Sequence, residues 1–274
     1  MRFVSFLAIV LLPSLIRAEE ADKPLEIKLI SEVRSVSPGK EFHLGLHLKH
    51  PPGSHTYWKN PGIVGLATKI QWSLPPGFKA GEIQWPAPRI VKMASYEAQG
   101  YEGETLLLIP ILPPADLSTK TITLTAKASW MCCGKTCQPA TDVPFSITLP
   151  VTESAKTDAE TRPLFEKFRA LVPKPNTKWT VTAQRHPTEI WLTLKPASRD
   201  MMLSDDAKKI HFFTADGQVD SNGKQGIEMI EDGTISISLP VSETGPKNPP
   251  TLPGVVSLPQ GEQPAVFVEV DPKY

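Results

Sequence analysis

Apolar and polar residues alternate with a period of two through short runs along most of this chain. The clearest run is EFHLGLHLK (41–49), where Phe42, Leu44, Leu46 and Leu48 fall on one face and His43, Gly45, His47 and Lys49 on the other, the pattern of a strand with one buried face. LEIKLISEV (25–33), TKIQWSL (68–74), ETLLLIPIL (104–112), TKTITLTAKASW (119–130) and VPFSITLPV (143–151) are further strand candidates, separated by the turn signals PPGS, NPG, PPG and YEGE. Regularly spaced short strands predict an immunoglobulin-like β-sandwich over residues 19–151. Residues 152–160, TESAKTDAE, are polar and aperiodic and predict a linker. TRPLFEKFRALVP carries the one good helical pattern: Thr161 to cap it, Pro163 in the first turn, Leu164, Phe165, Phe168 and Leu171 on one face, and Pro173 to stop it. Alternation then returns in KWTVTAQR (178–185), EIWLTLK (189–195), KIHFFTA (209–215), GTISISLP (233–240) and AVFVEVD (265–271). The expected fold class is all-β: two immunoglobulin-like β-sandwich domains, the second over 161–274 with the short helix at its start.

The first 18 residues break the pattern. Arg2, an apolar run from Phe3 to Ile16, and Arg17-Ala18 before Glu19-Glu20 have the order of a cleaved signal peptide. Ile16 and Ala18 suit the −3 and −1 positions, so cleavage is expected after Ala18. The run is too short to span a bilayer comfortably, and no later stretch is long and apolar enough to try, so no stable membrane insertion is expected. Losing Arg2 and Arg17 leaves the mature chain two short of the 29 Lys and Arg that balance 29 Asp and Glu. That near-neutral surface excludes nucleic acid as an expected partner. The 29 prolines punctuate the short alternating runs.

All three cysteines lie in WMCCGKTCQP (130–139). In TITLTAKASWMCC, Ile122, Leu124, Ala126, Ala128 and Trp130 share the inward parity, which Cys132 continues and Cys133 opposes. Gly134-Lys135-Thr136 is a connection suited to a hairpin, so Cys133 and Cys137 can face each other at its mouth. Three readings stay open. As a structural staple the ring is short, worth only about 2 kcal/mol in the loop-entropy model. As a redox pair it is small, sits at a turn, and has Lys135 to favour a thiolate. As a soft-metal site, Met131, Cys132, Cys133 and Cys137 offer sulfur ligands for copper(I), with Met93 as a further candidate. His43 and His47 lie about 13 Å apart along one strand face, too far to share an ion.

The segments HTYWKNPGIVGLATKIQWSLPPGFKAGEIQWPAP (55–88), GYEGETLLLIPI and ASWMCCGKTCQPATDVPFSITLPV resemble, in this order, the N-terminal periplasmic domain of DsbD-type thiol:disulfide interchange proteins, in the ScsB-like branch. The resemblance covers roughly 25–150 and extends more faintly into the second sandwich. It implies an immunoglobulin-like domain whose redox-active cysteine pair maps onto Cys133 and Cys137, with Cys132 extra. It implies a thiol-disulfide oxidoreductase acting as a redox shuttle, without a cofactor, in the periplasm. The partners would be a thioredoxin-like domain or membrane DsbD-like relay on one side and periplasmic thiol proteins on the other. The family's membrane domain and CxxC domain have no counterpart in these residues, so separate partners are expected to supply them. The family's shielding loop corresponds to RIVKMASYEAQGYEGE (89–104), with Tyr96 as the candidate shield and Met93 or Tyr101 as alternates.

Two other functions compete: a copper(I)-binding protein of copper tolerance or delivery, and a non-catalytic interaction module with a structural disulfide. Trp72 follows the parity of Ile70 and Leu74 and is expected in the core. No Ser-His-Asp order, HExxH, P-loop or nucleotide fingerprint is present.

Overall fold

The structure, a computed structural model, describes residues 24–175, 178–198, 209–260 and 263–274; the expected leader, 1–18, lies outside the described residues. The chain opens with β1 (Glu26–Ser31), β2 (Val33–Ser35), β3 (Phe42–Lys49), β4 (His55–Tyr57), β5 (Lys69–Ser73) and β6 (Lys79–Ala80). It continues through β7 (Arg89–Met93), β8 (Tyr96–Glu102), β9 (Glu104–Leu112), β10 (Thr121–Cys133) and β11 (Cys137–Pro150). One sheet has the order β1-β3-β9-β6 and the other β11-β10-β4-β8-β7, with β5 also paired to β10. The period-two pattern decides what lies between them: Phe42, Leu44, Leu46 and Leu48 of β3 and Leu107, Ile109 and Ile111 of β9 meet Ile122, Leu124 and Ala128 of β10 in one buried cluster. Trp72 packs half-buried against this cluster.

The segment after residue 151 departs from expectation. Within the expected linker, β12 (Lys156–Thr157) pairs with β2, and Arg34 reaches Asp158 and Glu160 at 3.1 Å each. The helix α1 (Arg162–Arg169) lies on the outer face of the first sandwich, where Phe165 and Phe168 bury against Leu106 and Leu108 of β9. The reason is in β9 itself, whose run LLLIPIL is apolar on both faces and so requires a second cover. Gly45 makes the room, since a Cβ there would stand 3.1 Å from the Phe165 ring. Thr161 does not cap the helix by its side chain; its hydroxyl donates to the Ser31 carbonyl at 2.6 Å. Arg169 to Glu32 at 2.8 Å and Lys167 to Glu104 at 2.9 Å tie the helix down. Both carboxyls are held below their ordinary range, Glu32 first by His43 and then Arg169, Glu104 first by Lys167. Linker and helix therefore clasp the first sandwich.

The second sandwich comprises β13 (Lys174–Pro175), β14 (Trp179–Arg185), β15 (Glu189–Pro196), β16 (His211–Thr214), β17 (Gly226–Met229), β18 (Ile235–Pro240), β19 (Gly254–Gln260) and β20 (Gln263–Val270). Its sheets run β13-β20-β19-β16 and β14-β15-β18-β17. Ile190, Leu192 and Leu194 of β15 and Ile235, Ile237 and Leu239 of β18 form its core with Phe212 and Val256. Phe213 and Val255 point the other way and join the core cluster of the first sandwich. Among the described residues no helix is long and apolar enough to cross a membrane.

Candidate redox site

The site sits where β10 runs out of its partner β5. Strand β5 pairs with Thr125–Ser129 of β10, and β4 takes over at the far end, with His55 opposite Cys133. On the other side β10 and β11 pair from Thr121↔Pro150 to Cys133↔Cys137, with one irregularity between Ala128 and Trp130. The extra residue there is accommodated on β11, where Asp142 takes a φ of 53° and its amide donates to the Ser129 hydroxyl at 2.9 Å. A bulge on β11 leaves the alternation of β10 intact. Cys132 thus keeps the inward parity and Cys133 the outward one.

Cys133 and Cys137 close a disulfide across the hairpin with Cα atoms 4.0 Å apart, and Cys132 is a free thiol. The two bridged residues lie in opposite environments. Cys137 is exposed. Cys133 has no exposed surface, although outward parity alone would leave it at the surface. Its cover is a small second core in which Tyr57, Val91 and Ala98 are buried with it and Val64, Met93 and Met131 pack around them. Tyr57 and His55 come from β4, Val91 and Met93 from β7, Ala98 from β8, and Val64 from the loop that follows β4.

The stretch 89–104 that the sequence offers as a shielding loop is, through residue 102, the hairpin β7–β8, in register from Arg89↔Gly100 to Met93↔Tyr96. Its turn is at Ala94, with a φ of 56°; no Gly or Asn marks it, which is why the residues do not read as a hairpin. Of the three candidate shield residues, Met93 packs in the cluster with Cys133. Tyr96 is 45% exposed beside the turn. Tyr101 has the opposite parity, lies in the main core, and donates its hydroxyl to the Pro86 carbonyl at 2.7 Å. Tyr57, Val64, Val91 and Ala98 are cover residues that sequence reasoning missed. The available signal was Tyr57 and His55 two apart in a short strand facing the cysteine hairpin.

The electrostatics favour neutral groups inside and leave the exposed sulfur free. Burial pushes the Cys132 thiol up despite a hydrogen bond from Ser54. Burial lowers His55, with Glu102 opposing, and its ring Nε2 lies 3.2 Å from the Tyr57 hydroxyl. Burial, and then Cys132, raise Tyr57. A thiolate at Cys133 would stand in this apolar setting, whereas one at Cys137 would stand in water next to the Lys135 turn. Among the described residues no three His, Cys, Asp or Glu side chains group as metal ligands; Met93, Met131 and Cys133 do share one cluster.

The family model for the N-terminal domain of the thiol:disulfide interchange protein DsbD matches residues 26–148, from β1 into β11, and takes in all three cysteines. Residues 26–148 are a DsbD-type N-terminal domain. The N-terminal periplasmic domain of ScsB from Proteus mirabilis has the same fold, with 17% identity, a TM-score of 0.64, and coverage of 91% of this chain and 93% of that one. That likeness therefore runs through both sandwiches. A sporulation control protein from Bacillus subtilis aligns over 90% of each chain at 10% identity, but its TM-score of 0.23 carries nothing further. No curated protein matches the chain by sequence.

Proposed function

We propose that this protein is a periplasmic thiol–disulfide exchange protein, delivered by a cleaved signal peptide, in which Cys133 and Cys137 are the catalytic pair. They relay electrons between a thioredoxin-like domain of a membrane DsbD-like relay and periplasmic thiol proteins. The observation that carries this reading is a disulfide with one exposed and one wholly buried cysteine, closed across a hairpin of a DsbD-type domain. A staple worth about 2 kcal/mol is a weak reason to place two cysteines on a domain with so large a core.

The difference in exposure supports a division of roles. A partner thiolate attacks the sulfur of Cys137, forming a mixed disulfide and expelling Cys133 as the leaving thiolate, which takes a proton. The partner's second thiol, deprotonated, attacks its own sulfur in the mixed disulfide and releases Cys137. The partner ends as a disulfide and the domain as a dithiol, two electrons and two protons richer. The reverse sequence, starting from a Cys137 thiolate, reduces an oxidised periplasmic protein. Cys133 in its apolar cluster is a poor leaving group, so exchange requires the cover to move. No metal or organic cofactor enters these steps.

The test is the reduction potential of the pair, read by alkylating the protein after equilibration in thiol redox buffers. A value above about −300 mV is expected, and one well below it marks a structural bond. In parallel, Cys133→Ser should trap a mixed disulfide at Cys137 with a thioredoxin-like partner.

A second reading has one observation behind it. Met93 and Met131 pack in the cluster that holds Cys133, so the reduced site places thioether and thiolate sulfurs together, with Cys132 and Cys137 adjacent, as copper(I) prefers. Competition titration of the reduced protein with a copper(I) chelator separates the readings: affinity lost in Met93→Leu and Met131→Leu without thiol exchange would favour copper.

A further inference from the structure

We infer that the second sandwich is a brace for the cover of the disulfide, with Ser221 and Asn222 as its positioning residues. The inference concerns regulation of the site proposed above, and it rests on that reading only for its biological meaning.

Strand β8 has an edge that β4 does not finish. Strand β4 pairs with Glu102, Tyr101 and Gly100, and the chain then follows the edge a little further. The Trp58 amide donates to the Gln99 carbonyl at 3.0 Å and the Gln99 amide to the Pro61 carbonyl at 2.8 Å. The next outward groups on that edge belong to Glu97, and an unpaired strand edge is an open donor and acceptor. Two side chains of the second sandwich close it. Asn222 accepts from the Glu97 amide through Oδ1 at 3.0 Å, and the Ser221 hydroxyl donates to the Glu97 carbonyl at 3.2 Å.

The same turn holds the other half of the cover. Ser221 Oγ accepts from the Ile63 amide at 3.2 Å, so one hydroxyl bridges the loop that carries Val64 and the hairpin that carries Val91, Met93 and Ala98. Gly62, with φ +92°, permits the approach, since a Cβ there would collide with the Ser221 side chain. The Thr214 carbonyl repeats the arrangement by accepting from Asn60 Nδ2 at 2.8 Å and Gln99 Nε2 at 2.9 Å, one donor from each element. The turn is fixed in its own right. Asp220 accepts from the Asn222 amide at 2.9 Å, and Phe213, beside Thr214, is buried in the core of the first sandwich. The loop that carries Val64 and strand β8 are therefore fastened directly to residues 214–222, and β7 follows through its pairing with β8. Cys133 is freed to leave as a thiolate when the Met93–Tyr96 tip bends or this brace loosens.

The test uses the full mature chain and a small dithiol. Dithiothreitol attacks one sulfur, expels the other as a thiolate and closes to its own cyclic disulfide, so its rate reads access to the pair whether or not the pair serves a partner. Failure of the redox reading would show in the reduction potential and in exchange with a thioredoxin-like domain; failure of the brace shows only here. Ser221→Ala with Asn222→Ala should speed reduction by about tenfold, the factor that goes with losing two or three neutral hydrogen bonds, and should speed hydrogen exchange at the Glu97 amide. Asn222→Ala alone, at an exposed position, should speed it about threefold. Asn222→Asp, which keeps the acceptor, should stay within about twofold of the parent. Rates unchanged in both alanine variants would overturn the inference. So would a faster rate matched by an equal rise in global unfolding, because that assigns the effect to stability.

Discussion

The two sandwiches use the same alternating strands but finish their outer faces differently. In the second, the outward positions of β15 and β18 stay polar or solvated: Thr193, Ser236 and Ser238 lie there, and Trp191 is 47% exposed. In the first, both sheets carry a second apolar layer. Leu106 and Leu108 on the outside of β9 are covered by α1, and Cys133 on the outside of β10 is buried among Tyr57, Val91 and Ala98. A one-core sandwich needs neither layer. The surplus apolar surface marks where the first sandwich was elaborated, once to bind the helix and once to hide a sulfur.

The largest expected effect separates the chemistry of the two regions outright. Cys133→Ser with Cys137→Ser should abolish thiol exchange while lowering the stability of the first sandwich by no more than about 2 kcal/mol. Denaturant unfolding and an exchange assay on the same preparation check both halves, and collapse of the fold would instead mark the bond as a staple. Next comes Phe165→Ala, expected to cost about 3–5 kcal/mol. If the helix belongs with the first sandwich, amide exchange should accelerate in β3 and β9 and stay unchanged in β15 and β18. Acceleration in the second sandwich alone would reverse the assignment.

Acid should strain both regions through histidines that desolvation holds neutral: buried His50 and His55 in the first sandwich and half-buried His211 in the second. Burial holds His50 in the first sandwich and His211 in the second down to about 4. Each folded-state value lies below the unfolded one, near 6.5. Between these two values the unfolded chain therefore binds protons that the folded chain refuses. Stability is full above about pH 7 and falls as the pH drops toward 4, by at most roughly 3 kcal/mol per histidine. Hydrogen exchange measured near neutrality and near pH 4.5 should show the loss in both sandwiches, and His50→Gln should reduce it in the first alone, leaving the share of His55. The smallest effect concerns the cover. Met93→Ala should speed reduction by dithiothreitol several-fold and Tyr96→Ala by less than about twofold, following their burial. The reverse order would return the shielding role to the exposed tyrosine.

Much of this was legible in the residues. EFHLGLHLK and TITLTAKASWMCC fix their own inward faces, and the Gly134-Lys135-Thr136 connection limits which thiols can meet. The helix pattern was also readable, including the buried pair Phe165 and Phe168. Its docking site was not, because the evidence for it is divided between an apolar β9 and a glycine at position 45. The hairpin β7–β8 escaped because RIVKM and YEAQGYE carry a mixed pattern joined by a turn at Ala94.

Parity along β10 is a property of the backbone, set by covalent geometry between neighbours, so the sequence alone implied that Cys132 turns inward and that Cys133 can face Cys137, provided that no bulge falls on β10. Whether outward means exposed depends on what other segments place on that face. Tyr57 and Val91 come from strands far from Cys133 in the sequence, and the hydrogen bond from Ile63 to Ser221 joins residues 158 apart. Contacts at such separations follow from the packing of whole sheets rather than from any local pattern. Only the tertiary structure could decide that one half of the disulfide is buried and that the second sandwich holds its cover in place.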